Sequence, residues 1–241
     1  MVCLAVAGVC AIPNCFGDTI IEGFENGNLS NYTAHAAFGG GQTTAAVAST
    51  YAHDGSYGLG LDGDDWYVRN DSTVQLAQGE RFSAWIHTPV AAGREYFGFG
   101  ASPTSTYDVF LGSNTNQFGI QDATYSTASF TDLSDVNQTY SNSTWYKVVI
   151  NWGAGGTITA QLFASNGTTL LNTVSANDNT ITSGGIAFRG FDSGPGAFDT
   201  VTLVTTTPEP STVTLLLIAG VVLGVACARD RRRTRFSQRI Q

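Results

Sequence analysis

The chain has 241 residues, 42% of them hydrophobic and only 12% charged, with 28 Gly, one Met and a single Lys. That is room for one ordinary globular domain, and the composition excludes coiled coils, helical repeats and charged disordered chains. The formal charge of −8 joins unlike parts: residues 18–207 hold 5 Lys and Arg against 17 Asp and Glu, and residues 208–241 hold 6 against 2. A body at −12 repels phosphate backbones, so nucleic acid is excluded as a partner.

In chain order, Val2 to Ile12 is an apolar run followed by Pro13 and Asn14-Cys15-Phe16-Gly17. It reads as the core of a secretory signal peptide occupying residues 1–17, too short to span a bilayer. Cys3, Cys10 and Cys15 fall inside it and Cys227 lies near the far end, so residues 18–204 carry no cysteine and no disulfide framework can be drawn.

The body that follows is written in period two. Arg81 to His87 alternates; Tyr146, Val148, Ile150 and Trp152 share one strand face, and Ile158, Ala160 and Leu162 share a face of the next, with Gly153-Ala154-Gly155-Gly156 as the hairpin between them. Further strands are expected over Asp18 to Phe24, Thr43 to Thr50, Tyr57 to Leu61, Glu95 to Gly100, Tyr107 to Leu111, Gln117 to Gln121, Leu170 to Val174, Gly185 to Arg189 and Ala197 to Val204. A dozen short strands separated by Gly, Asn, Asp and Ser predict an all-β, antiparallel β-sandwich over residues 18–204. The run Tyr57-Gly58-Leu59-Gly60-Leu61-Asp62-Gly63-Asp64-Asp65-Trp66-Tyr67-Val68, then Phe82-Ser83-Ala84-Trp85-Ile86, and later Thr144-Trp145-Tyr146-Lys147-Val148-Val149-Ile150, resembles laminin-G-like jelly rolls of the concanavalin A type. A galactose-binding-type jelly roll is the nearest alternative.

Residues 205–212 form a linker containing Pro208-Glu209-Pro210, an extended strip poor in hydrogen bonds that an enzyme can grip as a peptide. Residues 213–228 are apolar, about 24 Å long as a helix, and are followed by a basic tail, 229–241, with Arg229, Arg231, Arg232, Arg233 and Arg235. This reads as a single transmembrane helix whose arginines stay on the cytoplasmic side, leaving the acidic body exported. Pro-Glu-Pro, apolar segment and arginine cluster in that order resemble the PEP-CTERM sorting signal. The resemblance implies processing by an exosortase, transient anchoring in the inner membrane, and release to the surface or matrix of a bacterium that makes exopolysaccharide.

Chemistry is sparse in the body. Asp62, Asp64 and Asp65 lack the Gly and Glu that complete an EF-hand and read as a tight turn. Glu25 and Asp199, on the first and last strands, resemble the ligands of the structural calcium of carbohydrate-binding jelly rolls, with carbonyls near His53-Asp54-Gly55 completing the shell. His35, His53 and His87 are too scattered to predict zinc, and no serine or cysteine nucleophile has a recognisable setting. Trp85-Ile86-His87 and Arg94-Glu95-Tyr96-Phe97 distantly resemble the His and Tyr strands of jelly-roll polysaccharide lyases, where the two act as base and acid. The leading expectation is a non-catalytic binder of carbohydrate or exopolysaccharide, with Trp66, Tyr67, Tyr107, Tyr125 and Trp152 as candidate stacking platforms. A polysaccharide lyase or hydrolase, and a purely structural adhesion or matrix protein, are the competing readings.

Overall fold

The computed structural model describes residues 18–36, 44–89, 93–125, 129–191 and 195–204. The expected signal peptide (1–17), the Pro-Glu-Pro linker, the apolar segment 213–228 and the arginine tail lie outside them. Among the described residues no helix is long and apolar enough to cross a membrane.

The described residues build β1 (Thr19–Glu22), β2 (Thr33–His35), β3 (Thr44–Ala48), β4 (Gly58–Asp62), β5 (Trp66–Arg69), β6 (Leu76–Ala77), β7 (Glu80–His87) and β8 (Arg94–Ala101). They continue with β9 (Ser105–Gly112), β10 (Gln117–Thr124), β11 (Ser129–Asn137), β12 (Trp145–Trp152), β13 (Thr157–Phe163), β14 (Leu170–Asn177), β15 (Ser183–Phe191) and β16 (Gly196–Leu203). One sheet runs β14-β13-β12-β7-β16-β4-β3, with β1 added beside β16. The other runs β11-β10-β9-β8-β15-β5-β2, with β6 against β15. Their ladders are antiparallel, and consecutive strands such as β4 and β5, or β7 and β8, sit on opposite sheets. This is the expected jelly-roll sandwich, and each of the twelve expected strands is present. The Asp-rich turn is also present: Gly63, at φ 122°, carries the chain from β4 in the first sheet to β5 in the second.

Sequence patterning missed β2, β5, β6 and β11. The first three are only three, four and two residues long. β11 reads Ser-Phe-Thr-Asp-Leu-Ser-Asp-Val-Asn, an edge strand paired with β10 alone and largely open to solvent, so it shows no apolar alternation.

Alternation fills the space between the sheets. Phe82, Ala84 and Ile86 on β7, Tyr146, Val148, Ile150 and Trp152 on β12, and Ile158, Ala160 and Leu162 on β13 point inward from the first sheet. Phe97, Phe99, Tyr107, Val109, Leu111, Phe118, Ile120, Ile186 and Phe188 meet them from the second. Phe188 is the hub of this packing, its ring 5.1 Å from Phe198 of the first sheet, 5.7 Å from Phe97 of its own sheet and 5.4 Å from Phe24, which follows β1. Aromatic contacts at these separations add to the burial of apolar area. Truncating Phe188→Ala should cost about 3–5 kcal/mol, whereas Leu170→Ala, at the exposed edge strand β14, should stay within about 0.5 kcal/mol. Urea denaturation followed by tryptophan fluorescence distinguishes the two.

Candidate functional site

Glu25 and Asp199 do meet across the fold, and they meet at one loop. Asp199 is buried on β16; its Oδ2 accepts the backbone N–H groups of His53 (2.7 Å) and Asp54 (2.9 Å), and its Oδ1 accepts that of Thr200 (2.7 Å). Glu25 Oε1 accepts the N–H groups of Ser56 (2.9 Å) and Tyr57 (3.2 Å). Gly55 between them adopts φ 69°, and a Cβ there would lie 2.3 Å from Glu25 Oε1, so only glycine lets the loop close on the carboxylate. Phe24 (φ 57°) and Thr200 (φ 50°), beside the two acids, are also left-handed, a strained geometry held by the surrounding packing.

The partners differ from the expected calcium shell. Carbonyl oxygens were to point at a cation, but amide hydrogens point at the carboxylates. Among the described residues no three His, Cys, Asp or Glu side chains gather as a metal set. The hydrogen bonds make these two carboxylates an acid clasp on the loop 53–57. Burial pushes the Asp199 carboxyl up from its ordinary range, against the pull of its amide partners.

Beside the clasp, on the outer face of the first sheet, the His53 ring stacks 3.8 Å from Trp85, and both His53 and His87 meet Trp145 edge-on at 5.1 Å. His87 is on β7 and Tyr96 on β8, in opposite sheets and on opposite outer faces, so the expected base and acid of a lyase do not share a site. The remaining histidine, His35, lies on β2.

Three of the five candidate sugar platforms belong to the interior. Trp152 and Tyr107 are fully buried between the sheets with their rings 6.1 Å apart, and the Tyr107 hydroxyl bonds to Asp178 and Thr180. Tyr67 packs against the same core. The alternation of β9 and β12 reveals which residues share a face but not which face is inward. Trp66 and Tyr125 are on the outer face of the second sheet, and they lead to a constellation that sequence reasoning did not find.

That face carries a row of rings across its strands: His35 to Tyr125 at 5.1 Å, Tyr125 to Trp66 at 5.6 Å, Trp66 to Tyr96 at 5.9 Å and Tyr96 to Phe110 at 6.0 Å. Arg189 of β15 is buried among them, its guanidinium 4.6 Å from Tyr96, 4.9 Å from Phe130, 5.4 Å from Phe191 and 5.9 Å from Trp66. It is anchored by the Asp-rich turn, donating through Nε to the Asp64 carbonyl (3.0 Å) and through Nη2 to its carboxylate (3.1 Å). A cavity of about 180 Å³ opens here, lined by Arg94, Tyr96, Gln121, Phe130, Arg189 and Phe191.

Gln121 and Asp108 face each other in register on β10 and β9, with Gly98 of β8 on Asp108's other side. Both are buried; the Gln121 Oε1 and both Asp108 carboxylate oxygens have no hydrogen-bond partner among the described residues. The Gln121 amide nitrogen donates to Asp132, which fixes Oε1 as the open acceptor. Burial drives the Asp108 carboxyl well above the ordinary carboxylate range, with Asp132 and Asp122 adding to the shift and Arg189 opposing it. Unsatisfied buried acceptors, arginine donors and aromatic walls are the chemistry that receives hydroxyl groups. Nothing in the sequence sets Arg189 and Asp108 apart from solvated strand residues, because only the fold shows that this outer face is also buried.

Two consequences can be measured. Asp199→Ala strips the acceptor from three amides and should cost at least about 2 kcal/mol, with millimolar calcium leaving the melting temperature of the parent unchanged. Because the folded pKa of Asp108 lies above its unfolded value, its contribution to stability is fully present below about pH 4 and is lost as pH rises through the folded value. Asp108→Asn should therefore melt above the parent at pH 8 and lose that advantage near pH 4. Parallel pH profiles would contradict the assignment.

Residues 206–233 match the PEP-CTERM protein-sorting motif. Among curated proteins none matches the chain in sequence. In fold the chain is similar to the carbohydrate binding module CBM66 from Bacillus subtilis, at TM-score 0.53 and 11% identity over 73% of this chain and 98% of that one. It is similar also to a Bacillus subtilis protein of unknown function with a galectin-like fold, at TM-score 0.53 and 10% identity over 81% of this chain and 97% of that one. The chain thus joins a galectin-like, concanavalin-type jelly roll to a PEP-CTERM sorting motif.

Proposed function

We propose that the protein is exported to the bacterial surface or matrix and there binds polysaccharide, without catalysis, through the outer face of its second sheet. The sorting motif supports the destination, and the likeness to a carbohydrate binding module supports the ligand class. The observation that carries the reading is the cavity lined by Gln121, whose buried Oε1 has no donor among the described residues, together with Arg94, Arg189 and the rings of Tyr96, Phe130 and Phe191. A sugar hydroxyl supplies that donor, and the surrounding rings offer apolar contact to the sugar's C–H faces.

Delivery follows from the tail. An exosortase recognises Pro208-Glu209-Pro210, residues 213–228 hold the precursor in the inner membrane, and Arg229, Arg231, Arg232 and Arg233 keep the final residues on the cytoplasmic side. A reporter enzyme fused after Gln241 should be active only in the cytoplasm, and activity outside the cell would overturn this topology.

For the ligand, the full chain in mild detergent should be retained on the exopolysaccharide of its host and eluted by free saccharide. Gln121→Leu, which removes one acceptor and keeps similar bulk, should weaken retention up to about tenfold. Passage of the parent through the column without delay would favour a structural matrix protein.

A further inference from the structure

We propose that the cavity of the second sheet takes a single acidic sugar residue, with Arg94 receiving its carboxylate and Gln121 Oε1 accepting from a hydroxyl; this rests on the carbohydrate-binding reading above. Size, charge and donor chemistry each narrow the ligand. At about 180 Å³ the cavity is smaller than the roughly 300–1,000 Å³ of sites that enclose drug-sized molecules. One sugar ring fits that space; a run of polymer backbone does not. The site thus reads a chain end or a side branch.

Charge is distributed against the composition of the body. Residues 18–207 hold five Lys and Arg against 17 Asp and Glu, yet the cavity is lined by two arginines and no carboxylate. Asp64 offsets the charge of Arg189. Arg94 has only neutral anchors: its Nε donates to Asn114 Oδ1 (3.2 Å), and its Nη2 to Thr115 Oγ1 (3.1 Å) and Gln117 Oε1 (3.2 Å). Its guanidinium lies 5.4 Å from the Phe110 ring centre, and no carboxylate pairs with it among the described residues. A cation fixed in place, with no carboxylate partner among the described residues, is preorganised for an anion, which the Nη1 hydrogens not engaged by these anchors can receive. Asp132 adjoins the cavity through the Gln121 amide nitrogen and Asp108 lies opposite Gln121 in register; acidic groups farther off act through solvent and are screened beyond about 8 Å at physiological salt. The open Gln121 acceptor cannot receive the carboxylate itself and requires a donor on the same residue, which a sugar acid provides.

The test is affinity electrophoresis of the full chain in mild detergent at physiological salt. The gels contain polygalacturonate or alginate, neutral dextran or galactan, or polyphosphate as a polyanion without sugar. Polyuronates should retard the protein, and free glucuronate or galacturonate should relieve the retardation where glucose does not. Arg94→Gln should weaken polyuronate binding by about ten- to hundredfold, while Arg94→Lys, which keeps the charge without the anchored planar group, falls between. Melting temperatures of both variants establish that they are folded. Equal retardation by polyphosphate, retardation by neutral polymers alone, or undiminished polyuronate binding by Arg94→Gln overturns the acidic-sugar assignment and leaves carbohydrate binding standing or falling on the neutral gels. Retardation by no sugar polymer overturns both.

Discussion

The central strands of the second sheet are buried on both faces. The inner face of β8, β9 and β15 meets the first sheet through Phe97, Phe99, Tyr107, Val109 and Phe188, while the outer face buries Tyr96, Phe110, Asp108, Ala187 and Arg189. A sheet covered on one side can place polar residues in water at every second position; a sheet covered on both cannot. Whatever polar groups stand on the hidden outer face must find partners inside the protein, receive a ligand, or cost stability. Arg189 takes the first course through Asp64, whereas Asp108 and Gln121 retain open acceptors. The candidate site is a consequence of this double burial.

The same constraint governs what could be read from the sequence. On the first sheet, β7, β12 and β13 alternate cleanly because they separate core from solvent, and their register faces follow from Tyr146, Val148, Ile150 and Trp152 alone. On the second, runs such as Tyr96-Phe97-Gly98-Phe99 and Val109-Phe110-Leu111 have no polar beat, so strands are recognisable while their two faces are indistinguishable. Tyr107 and Trp152 were candidate platforms because loops or strand ends adjoin them in sequence, which does not reveal that both rings turn inward, and Arg189 was passed over because a charge on a strand looks solvated. Glu25 and Asp199 were matched through resemblance, which brought the right residues to the right corner. It did not convey that amide donors at 53–57 bond to Asp199 Oδ2 and Glu25 Oε1, since backbone orientation in a loop leaves no compositional trace.

The two ends of the sandwich core are therefore organised by different means. At the corner of β1, β16 and the loop 53–57, two acids gather backbone amides, and Gly55 gives them access. On the second sheet, a turn acid holds an arginine among rings, leaving a small chamber beside it. The acidic surplus of the body sets the contrast that makes Arg94 informative. Within a basic protein an arginine with no carboxylate partner among the described residues says little, whereas here it is one of five Lys and Arg in residues 18–207.

The position of β16 gives the attachment of the tail a mechanical meaning. This strand lies inside the first sheet, laddered to β7 and β4, with β1 joined to it through Thr19 and Leu203. Tension transmitted from residues beyond 204 enters the fold along the strand axis. It must shear several rungs together on either flank, where an outermost strand would unzip one rung at a time. A pull at residue 204 thus meets strand pairing on both flanks of β16, not a single edge ladder.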